Sequence, residues 1–210
     1  MKYFLSLLFA GITLVSCTDD DTTTNPAITT DTLISNTIIG VQPDTMVSKY
    51  AYFSFDNDSI VSPTLANTDA WDIRLPYLYG GGKTRSIDIQ INSGLVNSVG
   101  RTMGILADTT FDFLTTAPAD ALLKAEDTSK TTRIIPIALD GTSMFVYNPQ
   151  AFTINPVPQK TLVVKTKAGK YVKFQVLSLY KGQPATPTMY SELGYYSFRY
   201  VKSNSRKFTN

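Results

Sequence analysis

An all-β or β-dominated domain is predicted for residues 31–210 of this 210-residue chain, and three observations predict it. Apolar and polar residues alternate with period two in several short runs. Turn-forming residues separate those runs. Only one segment has a helical composition, so helices have little part in covering the sheets.

Taken in chain order, strands are expected over 32–41, 47–55 and 70–75. The pattern then sharpens, with Ile87, Ile89 and Ile91 alternating with Ser86, Asp88, Gln90 and Asn92. Successive side chains of a strand point to opposite faces, so this is the print of a strand with one wet face. Residues 118–126 read as the one short helix, with a proline near the start and Ala, Leu and Lys after it. Further strands are expected over 133–139, 143–147 and 160–167. Ala168-Gly169 then marks a tight hairpin, the glycine accepting positive φ. Val172, Phe174 and Val176 alternate with Lys173 and Gln175, and Tyr196, Phe198 and Tyr200 with Ser197 and Arg199. Gly80-Gly81-Gly82 and residues 181–188, with Pro184 and Pro187, are the long turns. Such segments carry function more often than strands, because a rigid scaffold holds them over a ligand.

Composition narrows the chemistry. Hydrophobic residues make up 43% of the chain, enough for a core without staples, and a single cysteine leaves no internal disulfide. The formal net charge is +2 and no Lys/Arg block occurs, so no nucleic-acid partner is expected. Histidine is absent. That removes the usual general base, the commonest metal ligand and a switch near neutral pH. Ser-His-Asp chemistry and histidine zinc sites are excluded, and no enzyme is expected.

The N-terminus has its own signature. After Lys2, the apolar run from Tyr3 to Val15 is too short to span a bilayer, which takes about 20 residues. It ends in Leu14-Val15-Ser16-Cys17, a lipobox. Residues 1–16 therefore read as a signal peptide that is removed, leaving Cys17 as a lipid-modified N-terminus. Acyl chains such as palmitate would hold it on a membrane, each buried methylene contributing about 0.8 kcal/mol. Residues 17–30 are polar and form a flexible tether. Asp19, Asp20 and Asp21 resemble a surface-export signal of some Gram-negative lipoproteins, or simply a solvated linker.

Three stretches, read together, carry a resemblance. Trp71-Asp72-Ile73 ends one strand, 84–94 reads TRSIDIQINSG, and 169–180 reads GKYVKFQVLSLY before a closing 194–200, GYYSFRY. In this order behind a lipobox they resemble the HmuY family of haem-binding surface lipoproteins. The resemblance implies antiparallel sheets with ligand-gripping loops, a haem held by two axial side chains, and transfer to an outer-membrane receptor. It implies a lipid-anchored, surface-exposed protein of iron acquisition.

The best-known members of that family use histidine ligands, which this chain lacks, whereas other members use methionine. A thioether is a legitimate axial ligand that favours ferrous iron. Met144 is the first choice, as the one methionine in the stretch (about 118–158) from which the family draws ligands. Met189, after the Pro/Thr-rich turn, and Met103, in the glycine-flanked segment, are both open as the second ligand. Tyr147 is a harder oxygen donor suited to ferric iron. Arg101, Lys130 and Arg133 are candidates for the haem propionates. Each methionine is also readable as ordinary core filling, which thioethers do well; so is Met46.

Other motifs fall short. Asp56-Asn57-Asp58 departs from a calcium loop, with Ile60 at the next ligand position and no glycine following. Gly80-Gly81-Gly82-Lys83-Thr84 lacks the leading glycine of a phosphate loop and precedes strand periodicity. The rival reading is a surface lipoprotein without haem, binding glycan through Tyr77 and Tyr79 or serving as an adhesive or structural module.

Overall fold

Eleven strands form among the described residues of the computed structural model, which are 33–43, 49–78, 87–128 and 133–209. They are β1 (Ile34–Val41), β2 (Tyr50–Ser54), β3 (Ser59–Val61), β4 (Ile73–Pro76), β5 (Gln90–Ile91) and β6 (Met103–Asp108). The rest are β7 (Phe145–Asn148), β8 (Thr153–Pro156), β9 (Lys160–Lys165), β10 (Tyr171–Tyr180) and β11 (Leu193–Ser203). All belong to one compact unit, Asp31–Asn210. The expected signal segment, Cys17 and the tether lie outside the described residues, as do Met46, Tyr79, Gly80 to Gly82 and Lys130. No helix among the described residues is long and apolar enough to cross a membrane.

Antiparallel pairing builds a five-stranded sheet in the order β1-β11-β10-β9-β6, a four-stranded sheet β3-β2-β4-β5 and the hairpin β7-β8. Period-two alternation decides which residues face which cover. Phe174, Phe198 and Tyr200 point from the large sheet toward Phe53 and Phe55 of the small one. Their rings meet edge-on, at 5.3 Å for Phe53–Phe198 and 5.9 Å for Phe55–Phe174. Ile73, Leu75, Ile89, Ile91, Leu162 and Val164 complete this main core. The alternate residues Met103, Ile105, Val163, Tyr171 and Val201 face outward. Phe111, Ala117, Leu123 and Phe208 cover them as a second cluster.

The β-dominated class stands, and most expected strands form. The expected hairpin at Ala168-Gly169 joins β9 to β10, with Gly169 at φ +82°. Three expectations fail for identifiable reasons. The alternation over 87–92 yields only the two-residue β5, and its expected wet face is covered, with Gln90 accepting from Arg74 and Asn92 donating to Trp71 O at 2.7 Å. Residues 118–126 form only a 3-10 turn at Asp120–Leu122, preceded by extended Ala119 with no side-chain cap. Lys124 leaves the helical path to exchange two backbone hydrogen bonds, each 2.8 Å, with Gly104 of β6. Residues 133–139 form no strand: Arg133 curls back, its Nε donating to its near neighbour Ile135 O at 3.1 Å. Conversely, β6 lacks alternation in sequence. Gly104 allows its close approach, since a Cβ there would meet Val163 O at 2.9 Å.

A polar clamp closes one end of the β10–β11 ribbon. Buried Lys202 donates to Phe55 O at 2.7 Å and to Asp58 Oδ2 at 2.8 Å, and the Tyr200 hydroxyl donates to Asp58 Oδ1 at 2.7 Å. Burial acts to raise the Asp58 carboxyl, but the hydrogen bonds from Lys202 and Tyr200 outweigh it and hold the group below the usual carboxylate range. Asp56 reaches the β9–β10 turn, accepting from the Thr166 hydroxyl at 2.7 Å. The Asp56-Asn57-Asp58 motif thus serves as a structural tie between the two sheets.

Candidate functional site

The other end of the ribbon is open. The pairing of β10 with β11 shifts register between Val176 and Ser178 and again before Tyr180. This irregularity leaves Leu177 partly exposed at the end of the strand. The buried N–H of Ile154 donates to the Tyr180 hydroxyl oxygen at 2.8 Å, which ties β8 to the end of β10. Between β8 and the β10–β11 connection lies a cleft of about 280 Å³. Asn155 and Pro156 line it on one side, Leu177, Ser178 and Tyr180 at its base, and Gln183, Pro184, Ala185 and Pro187 on the loop side. Its volume falls just below the range of about 300 to 1,000 Å³ for small-molecule pockets.

The loop beside the cleft is braced at its neck. Lys181 donates through its N–H to Glu192 O at 2.9 Å and through Nζ to Glu192 Oε2 at 3.0 Å. The Tyr195 hydroxyl donates to Glu192 Oε1 at 2.7 Å. The Tyr195 bond, then Lys181, holds the Glu192 carboxyl below its ordinary range. Two prolines restrict the loop further, and Gln183 adopts φ +49°, a conformation uncommon outside glycine. Near the tip, Thr188 and Ser191 exchange two hydrogen bonds of 2.9 Å. Between them Met189 is 58% and Tyr190 88% exposed.

The candidates read from the sequence are scattered by this fold. Met144 is 2% exposed and packs in the main core just before β7. Its carbonyl accepts from Val157, the residue after cleft-lining Pro156, at 2.9 Å. Met103 packs with the outer cluster, so the large sheet stands between it and Met144. Tyr147 is half-buried on β7, its N–H donating to Leu139 O at 2.8 Å. Arg133 is buried, pairs with Asp88 and donates to Ile135 O and Ile89 O. Arg101 is exposed in the connection before β6. Met189 alone of the described methionines is exposed, on the loop whose Pro184 and Pro187 line the cleft.

Two buried carboxyls escaped sequence reasoning. Asp72 accepts from Phe55 N–H at 2.7 Å and the Thr102 hydroxyl at 3.1 Å, and burial, reinforced by Asp56, pushes it up to about 6. Glu126 Oε1 accepts from Asp127 and Ile134, while buried Oε2 has no partner. Burial pushes Glu126 up to about 7 despite the Arg133 charge. Neither group lies at the cleft.

A porphyrin needs flat apolar contact, an axial donor and cations for its carboxylates. Leu177, Pro156, Pro184 and Pro187 offer apolar contact among polar neighbours, whereas Met189 lies on the same loop but does not line the cleft. Of the cations, Lys181 is already paired with Glu192 and Arg133 with Asp88, so the third is met by neither.

No family model matches the chain, and no curated protein matches it. Solved structures similar to it include a Bacteroides vulgatus protein described as HmuY-like and haem-binding. It is 16% identical, with 79% of this chain and 90% of that one covered and a TM-score of 0.45. A Bacteroides fragilis protein described as a lipoprotein is 11% identical, with 80% and 89% covered and a TM-score of 0.43. The apo form of a HmuY analogue of Tannerella forsythia is 14% identical, with 82% and 96% covered and a TM-score of 0.43. At these values none of the three assigns a ligand or a residue role to this chain.

Proposed function

We propose that this chain is a lipid-anchored surface lipoprotein that captures haem or a related porphyrin and passes it to an outer-membrane receptor. Thioether takes the place of imidazole. The observation that supports this reading is the Met189–Tyr190 tip, an exposed methionine on the braced loop whose Pro184 and Pro187 line a cleft. The iron of a bound haem would supply the Lewis-acid centre, and a thioether donor favours its ferrous form. The chain's own part is to hold the sulfur in place through the Lys181–Glu192–Tyr195 neck and the Thr188–Ser191 bonds. In this reading Met189 is the axial donor, since the sulfur of Met144 is packed in the main core. Cys17 carries the lipid.

Titration of the chain with haemin, followed by absorbance in air and then under dithionite, tests this. Binding in the reduced state, lost in Met189→Ala and kept in Met103→Ala, is the expected result. A spectrum unchanged by haemin in both states overturns the reading and leaves the glycan or structural module.

A further inference from the structure

Arg199 and Arg74 are held in the same way on different sheets. Arg199 of β11 donates from Nε and Nη2 to Gln175 Oε1 of β10, at 3.0 and 2.9 Å. Its guanidinium carbon lies 4.2 Å from the centre of the Phe111 ring. Arg74 of β4 repeats the arrangement on the outer face of the small sheet, where the register sets it opposite Gln90 of β5. Its Nε donates to Gln90 Oε1 at 2.8 Å, and its Nη2 donates to the same oxygen. Its guanidinium carbon lies 4.3 Å from the centre of the Tyr50 ring and 5.8 Å from that of Trp71.

The two differ in one partner. Nη2 of Arg199 also donates to the Asp112 carboxylate, at 3.1 Å. Among the described residues no carboxylate pairs with Arg74. Asp88, two residues before Gln90, is engaged elsewhere: it pairs with Arg133 and accepts from the Tyr50 hydroxyl at 3.5 Å. A guanidinium carries five N–H donors in a rigid fork that matches a carboxylate. Gln90, itself 2% exposed, takes the Nε side of that fork. A neutral amide orients the group and leaves its charge uncancelled. The half-buried Arg74 therefore keeps a fixed direction and its Nη1 donors.

We propose that Arg74 anchors a second binding site, one that takes a singly charged carboxylate on its Nη1–Nη2 edge. Asp112 on Arg199 is the chain's own precedent for what completes such a cradle. One cation beside the Asp88 carboxylate suits one negative charge and disfavours a phosphate dianion. The site goes beyond the haem reading and does not depend on it, because Arg74 does not line the cleft.

Sodium acetate and sodium galacturonate, titrated into the chain at constant ionic strength, test this through the NMR resonance of the Arg74 Nε–H. Emission of Trp71, the one tryptophan, is a second readout. The expected result is a saturable shift at Arg74, with a dissociation constant on the order of 1 mM, and a much smaller one at Arg199. Equal affinity for the two probes supports a site for free acids, and tighter galacturonate supports a site for an acidic sugar. Arg74→Lys keeps the charge and loses the fork, which weakens binding by at least about tenfold, whereas Arg199→Lys leaves it unchanged. A shift at Arg74 that does not saturate overturns the proposal, as do equal shifts at the two arginines. So does inorganic phosphate binding as tightly as acetate, or binding that survives Arg74→Lys.

Discussion

At one end of the β10–β11 ribbon, Lys202, Tyr200 and Asp58 turn their polar atoms on one another and on the backbone of the neighbouring sheet. At the other end, Lys181, Glu192 and Tyr195 do the same at a loop neck, but in solvent, and beyond them Met189 and Tyr190 are exposed. The chemistry is alike and the surroundings differ. A charge pair with a buried member is part of the fold, because losing Asp58 would leave the Lys202 ammonium desolvated, although the Asp58 side chain itself stays 35% exposed. An exposed one does little for stability, but it can fix the direction in which a loop points.

The contrast breaks most readily at the clamped end. Lys202→Ala leaves the Phe55 carbonyl without its donor and the Asp58 carboxylate with Tyr200 alone, and a loss of about 2 kcal/mol is expected in urea unfolding. A loss under about 1 kcal/mol would make the two ends equivalent.

The buried carboxyls give the next largest effect. Asp72 and Glu126 have folded values, about 6 and about 7, above those of the unfolded chain. Their stabilisation is complete at pH 4 and below and is lost as pH rises through 6 and 7. Asp58, held low, works the opposite way, losing its contribution only as pH falls below the usual carboxylate range. Thermal unfolding is therefore expected to drop by on the order of 5 °C between pH 5 and pH 8. Glu126→Gln should flatten that slope; an unchanged slope would show that Glu126 is ionised throughout.

At the open end, Lys181→Ala should change stability by no more than about 0.5 kcal/mol. Its effect belongs in the haemin titration, as weaker binding through a loosened loop. Met189→Ala is expected to be the most silent in unfolding, within about 0.5 kcal/mol, because the side chain is exposed. If it unfolds far more readily, the tip is packed and its role is structural.

The sheet was legible where apolar and polar residues alternate, as at Phe174 and Phe198, although the polar partners Lys173, Gln175 and Ser197 turn out to be buried under the outer cover. β6 was not, because both of its faces are covered and its Met-Gly-Ile-Leu run has no polar partner residues. The short helix expected over 118–126 rested on propensity, which tertiary pairing of Lys124 with Gly104 overrides. Of the site, the turn at 181–188 was visible from its prolines, and it borders the cleft. Leu177 and Tyr180 were not visible, since a register shift exposes the one and a cross-strand bond recruits the other. Nor can sequence order alone separate Met144 from Met189, because burial is decided by which strands become neighbours.

Tyr180 contributes to the wall of the cleft and, through the Ile154 N–H, fastens the β7–β8 hairpin to the ribbon. A guest that drew on that phenolic oxygen would compete with the fastening, so filling the cavity and freeing the hairpin become linked events. Occupancy would then be readable at Ile154 as faster amide exchange, with no contact between guest and that residue.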